Sequence, residues 1–156
     1  MHPFRYTIHL RLHHPDIDPD LISVALELKP FVKYQAGKPR IGPKGTQLGK
    51  GVSKQTYWCS EGVRGEGHDL ADTLESQVQK LEEKRDFLDG FCTTGGWVEL
   101  YISWFTGEDN TGEVFDWSLL QRLATLKVTL DIDVYGGRDP GKETSEDKNS
   151  ERTSKP

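Results

Sequence analysis

The chain has 156 residues, 34% of them hydrophobic, with two cysteines and a formal net charge of −5. That is enough apolar material for one domain with a real core, while no single run approaches the roughly 20 residues that cross a bilayer. An acidic whole argues against general nucleic-acid binding, yet the charge is uneven: residues 1–28 sum to −2, residues 29–55 to +7 and residues 56–156 to −10.

The first segment alternates Phe4, Tyr6, Ile8, Leu10 and Leu12 with Arg5, Thr7, His9, Arg11 and His13. A period of two predicts a strand with one apolar and one polar face. It starts directly after Met1-His2-Pro3, without the apolar stretch of a signal peptide, so a cytoplasmic protein is expected. A helix start follows, with Asp18 as N-cap, Pro19 in the first helical position and Asp20 at the positive end of the dipole. That helix carries Leu21, Ile22, Ala25, Leu26 and Leu28, and Pro30 is its expected stop.

Two short apolar pieces come next, Phe31 to Tyr34 and Thr56 to Cys59. They read as strands joined by a long mobile loop rich in Gly and Pro. Gly62 to Gly67 reads as a glycine-rich turn. Leu70, Leu74, Val78, Leu81 and Leu88 then predict one helix over about Asp69 to Asp89, ended by Gly90. Trp97 to Phe105 alternates again, with Val98, Leu100, Ile102 and Trp104 on its apolar side. Asp116 is placed to cap a short helix holding Leu119, Leu120, Leu123 and Leu126. Val128, Leu130, Ile132 and Val134 mark a closing strand. Gly136 to Pro156 contains no Val, Ile, Leu, Met or aromatic residue. The reading is a folded domain over residues 3–136 and a disordered polar tail over 137–156.

The element order is β-α-β-β-α-β-α-β. It predicts an α+β fold with a mainly antiparallel sheet, ferredoxin-like βαββαβ with an appended αβ unit, and helices on one face only. The first strand and the Trp97 strand are expected side by side in the middle, with the last strand at the edge beside the Trp97 strand.

Several stretches together carry a family likeness. They are His14-Pro15-Asp16-Ile17-Asp18-Pro19, Ala36-Gly37-Lys38-Pro39-Arg40 followed by Thr56-Tyr57-Trp58, Arg85-Asp86-Phe87-Leu88, the Trp97 strand, and Leu130 to Tyr135. On these the chain resembles the bacterial family catalogued as domain of unknown function number 4279, over about residues 4–137. The resemblance implies a small α+β domain and no catalytic residue set.

Four groups of residues are candidates for function. The polar phases of three strands put Arg5, His9, Arg11, Glu99, Tyr101, Asp131, Asp133 and Tyr135 on one open sheet face. That face is either a solvated array of cross-strand ion pairs or a recognition surface anchored by Tyr and Arg. A glycosidase-like pair of Glu99 with Asp131 or Asp133 would need a cleft that a flat sheet does not offer. In the basic loop, Lys38, Arg40, Lys44 and Lys50 could hold an anion, with Tyr34, Tyr57 and Trp58 beside them for stacking on a single strand. The loop fails the phosphate-loop pattern, since Lys44 stands where its first glycine belongs and Gly51 follows Gly49-Lys50. Two His and three Asp between His13 and Asp20 have metal-binding chemistry, but Asp16, Asp18 and Asp20 suit turn and cap roles, so no metal and no cofactor are expected. Trp97, Tyr101 and Phe105 make the outer side of their strand unusually aromatic, a feature of protein contact sites. Cys59 and Cys92 read as ordinary reduced thiols.

The leading expectation is a non-enzymatic binding domain that engages a protein partner through the open sheet face or edge. Its size and acidity suit an immunity or inhibitor protein that neutralises a basic target. The alternatives are anion or single-stranded nucleic-acid binding through residues 29–55, and an enzyme assembled from distant residues such as His9, His13 and Asp131. No membrane partner is expected.

Overall fold

The period-two segments become the long strands of a single sheet. The computed structural model describes residues 4–107 and 110–136, so the expectation for 137–156 lies outside the described residues. It has strands β1 (Arg5–His14), β2 (Pro30–Tyr34), β3 (Thr56–Ser60), β4 (Val63–Glu66), β5 (Trp97–Gly107) and β6 (Val128–Gly136). Four helices join them, α1 (Pro19–Leu26), α2 (Leu70–Glu82), α3 (Arg85–Thr93) and α4 (Trp117–Thr125). The fold is α+β, with strands in the order β2-β3-β1-β5-β6 and β4 paired to β1 alongside β3. Every pairing is antiparallel except β5 with β6, which α4 makes parallel by carrying the chain back across the sheet.

Alternation decides which face is buried. Phe4, Tyr6, Ile8, Leu10 and Leu12 of the first segment, Trp58 of β3, Val98, Leu100, Ile102 and Trp104 of β5 and Val128 of β6 form one cluster. All four helices add to it from the same side, through Ile22 and Leu26, then Leu70, Leu74, Val78 and Leu81, then Leu88 and Phe91, and finally Leu119 and Leu123. The opposite face carries the polar phase, and no helix of the described residues packs on it. Both predicted N-caps are in place: Asp18 Oδ1 accepts the Asp20 N–H at 2.9 Å and Asp116 Oδ1 accepts that of Leu119 at 2.8 Å.

Several expectations need correction. The single helix over Asp69 to Asp89 is two helices, and Gly90 lies inside the second. The break is a tight turn in which the Lys84 N–H bonds the Leu81 carbonyl at 2.9 Å. Leu81 and Leu88 are seven apart, the spacing an unbroken helix would also show, so periodicity hides it. Pro30 does not stop α1 but opens β2; the helix ends at Leu26, with Glu27 left-handed at φ 57°. Leu21 and Leu28, counted with its apolar side, are exposed.

The glycine-rich turn contains strand β4. β3 pairs with residues 11–14 of β1, and β4 pairs with residues 5–8, shifted by one residue. The two are thus one strand interrupted by a bulge at Glu61-Gly62. A Cβ at Gly62 would lie 2.5 Å from Thr7 Cγ2 and 2.8 Å from His9 Cε1, so only glycine fits.

The long loop is not structureless. Gly37 and Ser53 exchange strands' worth of bonding with their neighbours, Gly37 N–H to the Ser53 carbonyl at 2.8 Å and Ser53 N–H to the Lys38 carbonyl at 2.8 Å. Within that closure Leu48 N–H reaches the Arg40 carbonyl and Gly42 N–H the Thr46 carbonyl, a small hairpin in its own right.

Candidate functional site

The outer face is built by register. Across β1, β5 and β6 the pairs run Arg5–Phe105–Tyr135, Thr7–Ser103–Asp133, His9–Tyr101–Asp131 and Arg11–Glu99–Thr129. All eight residues expected on the sheet face therefore share one side of it, Arg11 and Asp131 included. Across β2, β3, β1 and β5 a further row runs Tyr34–Tyr57–His13–Trp97.

This last row is a continuous aromatic strip. The Tyr34 and Tyr57 rings lie 5.8 Å apart, Tyr57 and His13 5.0 Å, and His13 stacks on Trp97 at 4.4 Å with only 4° between the planes. Two hydrogen bonds orient His13. Its Nδ1 accepts from the Gln55 amide at 3.4 Å, and its Nε2–H donates to Glu99 Oε1 at 3.2 Å. Trp97 remains 43% exposed at the end of the strip. At the other end of the face Phe105 stacks on Tyr135 at 5.1 Å, with the Arg5 guanidinium 5.9 Å from the Phe105 ring.

Charge occupies the middle. The Arg11 guanidinium lies 3.3 Å from the centre of the Tyr101 ring, and its Nη1 is 3.8 Å from Glu99. Its Nε–H is buried and has no hydrogen-bond partner among the described residues. Tyr101 belongs to the polar phase but is only 8% exposed, because Arg11, Asp133 and Tyr135 cover it. Its hydroxyl donates to Asp133 Oδ2 at 2.6 Å and meets the Tyr135 hydroxyl at 3.2 Å. The Asp133 carboxylate, followed by the Tyr135 bond, favours the protonated phenol and pushes its pKa up to about 12. Burial raises that of Tyr57 further, with the Cys59 thiol beside it.

Register also creates a neighbour pair with no signal in the local sequence. Cys59 Sγ sits 3.7 Å from His9 Nδ1, fifty residues away in the chain. The same nitrogen donates to the Ser60 carbonyl at 3.0 Å. A protonated Nδ1 has no lone pair with which to take the thiol proton, so the pair is not a nucleophile and its base. His9, His13 and Asp131 do not converge either. His9 and Asp131 stand two strands apart, about 10 Å at ordinary strand spacing, with Tyr101 between them.

The other candidates are placed as follows. Lys38, Arg40, Lys44 and Lys50 are all exposed, Arg40 and Lys44 on the loop hairpin and Lys38 and Lys50 flanking it. Tyr34 and Tyr57 lie at the outer face beside it, but Trp58 is fully buried in the core, with its indole N–H on Ser23 Oγ at 2.9 Å, and is unavailable for stacking. Asp18 and Asp20 serve α1, the first as its cap and the second in a contact with Lys33. Among the described residues no three His, Cys, Asp or Glu side chains are grouped as metal ligands. No described helix is long and apolar enough to cross a membrane. Sequence reasoning missed one hollow, a cleft of about 450 Å³ on the helix side, floored by Ile8, Leu10, Leu81 and Leu100 and rimmed by Glu27 and Lys84. It opens beside the bulge, a feature visible only once β3 and β4 are paired.

A family model described as domain of unknown function (DUF4279) matches residues 4–137, nearly all of the described part. The chain belongs to that family. No curated protein and no solved structure matches it.

Proposed function

We propose that the chain is a non-enzymatic binding domain whose outer sheet face receives a protein partner. The observation that carries this reading is the half-buried strip Tyr34–Tyr57–His13–Trp97, on which no described helix packs, with Arg11 beside it. Aromatic rings held by their neighbours lose little entropy on contact, and Arg with Trp and Tyr dominates the energetics of protein interfaces. The unpartnered Arg11 Nε–H adds a donor that a carbonyl or carboxylate of the partner would satisfy. Acidity and size suit an inhibitor of the immunity type acting on a basic target. Two unpaired cysteines fit a cytoplasmic setting.

The test is a quantitative affinity capture from the native host, comparing the parent with a Trp97→Ala, Arg11→Glu, Tyr101→Ala triple variant. One specific protein should be retained by the parent and lost from a folded variant. Equal retention by both removes the outer face from the reading.

A second reading rests on a separate observation. Lys38, Arg40, Lys44 and Lys50 are exposed on one hydrogen-bonded loop beside the Tyr34–Tyr57 stack, an arrangement suited to an anion or a short single-stranded nucleic acid.

A further inference from the structure

The two edges of the sheet are finished differently. β2 is five residues long, begins with Pro30, carries Lys33 and has a register shift between Pro30 and Val32. These are the usual devices that stop one sheet edge from pairing with another chain. β6, the opposite edge, is nine residues long and contains no Pro, Lys or Arg. Its pairing with β5 is regular from Val98↔Val128 to Phe105↔Tyr135. Peptide groups alternate in direction along a strand, so every second residue of β6 turns its N–H and C=O to the open side.

The side chains of β6 describe what would fit there. On the helix side Val128 is buried, but α4 covers only the first half of the strand, leaving Ile132 36% and Val134 62% exposed. Trp117, at the N-terminus of α4, is 76% exposed. The antiparallel run of α4 between two parallel strands turns that terminus toward the end of the sheet that holds Val134. On the outer side Asp131 and Asp133 stand in succession; Asp133 is bonded to Tyr101, and Asp131 has no ion pair among the described residues.

Resting on the reading of this protein as a partner-binding domain, we propose that the free edge of β6 takes up a strand of the partner in which Lys or Arg alternates with Val, Ile or Leu. Basic residues of that strand would face Asp131 and Asp133 on the outer side. Its apolar residues would meet Ile132 and Val134 on the other. A second copy of this chain is a poor occupant. Antiparallel pairing centred on Ile132 sets Asp131 opposite Asp133 of the other copy, and pairing centred on Asp131 or Asp133 sets each opposite itself, like charges directly across a ladder. Residues 137–156 contain no Val, Ile, Leu, Met or aromatic residue to match Ile132 and Val134.

The probe is a capped nine-residue peptide alternating Val and Lys, offered to the full chain, with amide hydrogen exchange followed residue by residue. Protection of alternate β6 amides between residues 129 and 135 is expected, because those amides gain partners only when a strand is added. Asp131→Lys with Val134→Lys should weaken binding at least tenfold, and Val134→Lys alone should weaken it measurably; both positions are accessible enough to leave the core intact, which thermal melting checks. A peptide alternating Val and Glu should give no protection. Unprotected β6 amides, or equal protection by the Val–Glu peptide, overturn the inference. The outer-face reading is separable: Trp97→Ala with Arg11→Glu should leave peptide protection unchanged. If capture of the native partner survives Asp131→Lys with Val134→Lys but is lost with the outer-face variant, the face reading stands and the edge inference falls.

Discussion

Replacing Gly65 by Ala tests the arrangement that joins β4 to the sheet. A Cβ at this position would overlap the Tyr6 ring, with Cε1 at 2.9 Å and the hydroxyl and Cζ nearer still. Tyr6 is 2% exposed, and its hydroxyl is hydrogen-bonded to Thr73 Oγ1 of α2 at 2.7 Å. The ring cannot move outward without opening β4, nor inward without displacing α2. Forcing extra volume into a packed core costs about 1–3 kcal/mol, and loss of the Tyr6–Thr73 bond adds about 1 kcal/mol. The expected loss is therefore about 2–4 kcal/mol. At about 4 °C per kcal/mol for a domain of this size, the melting temperature should fall by about 8–16 °C. Calorimetry on the parent and on Gly65→Ala gives the first number. A double-mutant cycle with Tyr6→Leu gives the second: once the ring is gone the methyl group has room, so the two changes together should cost at least 1 kcal/mol less than their sum. If Gly65→Ala melts with the parent, or if the cycle is additive, the close approach of Tyr6 to β4 is wrong and so is the one-residue shift that produces it.

Two further outcomes follow from the outer face and the loop. Asp133→Asn removes the charge that holds Tyr101 protonated, so its pKa should fall from about 12 toward the ordinary tyrosine value. A folded pKa above the unfolded one stabilises the fold fully below the unfolded value, near 10, and that contribution is lost as pH rises through the folded value. Ultraviolet titration of tyrosinate, with Tyr101→Phe to assign the late step, reads the shift; an unchanged late step in Asp133→Asn would refute the cause. For the loop, an oligonucleotide that engages Lys38, Arg40, Lys44 and Lys50 should bind with a log–log salt slope of about −3, since each phosphate neutralised on a single strand contributes about −0.7. Replacing the four by Ser should abolish that binding, and a flat salt response or an undiminished affinity would dispose of the second reading.

What was legible in the sequence is what a two-residue or 3.6-residue period can encode. Phe4, Tyr6, Ile8, Leu10 and Leu12 are all buried because a strand has only two sides and the pattern names one. The same parity placed Arg5, His9, Arg11, Glu99, Tyr101, Asp131, Asp133 and Tyr135 together on the other. β4 was not legible. It is four residues long, sits beside two glycines and becomes a strand only because β1 extends past the end of β3. The break between α2 and α3 hid behind a spacing that both one helix and two helices satisfy.

The details of the site depend on register, a property of pairs distant in the chain. His13 meets Glu99 across 86 residues, Cys59 meets His9 across 50, and Tyr101 meets Asp133 across 32. A one-residue slip of β5 against β1 would turn Trp97 into the core and Val98 to the surface, so burial fixes the register once the strands are neighbours. Burial does not say which polar groups then touch. Opposite charges on adjacent strands suggested a lattice of ion pairs over the whole face. In the structure Glu99 meets Arg11 and His13 of β1, while Asp133 goes to a tyrosine and Asp131 has no ion pair among the described residues. The difference is geometric. β1 and β6 are separated by β5, so the cations of the first cannot reach the acids of the second, and Tyr101 fills the space between. That leaves the acids of β6 facing outward at an edge that no described strand pairs, where an incoming basic strand would meet carboxylates that no described cation opposes.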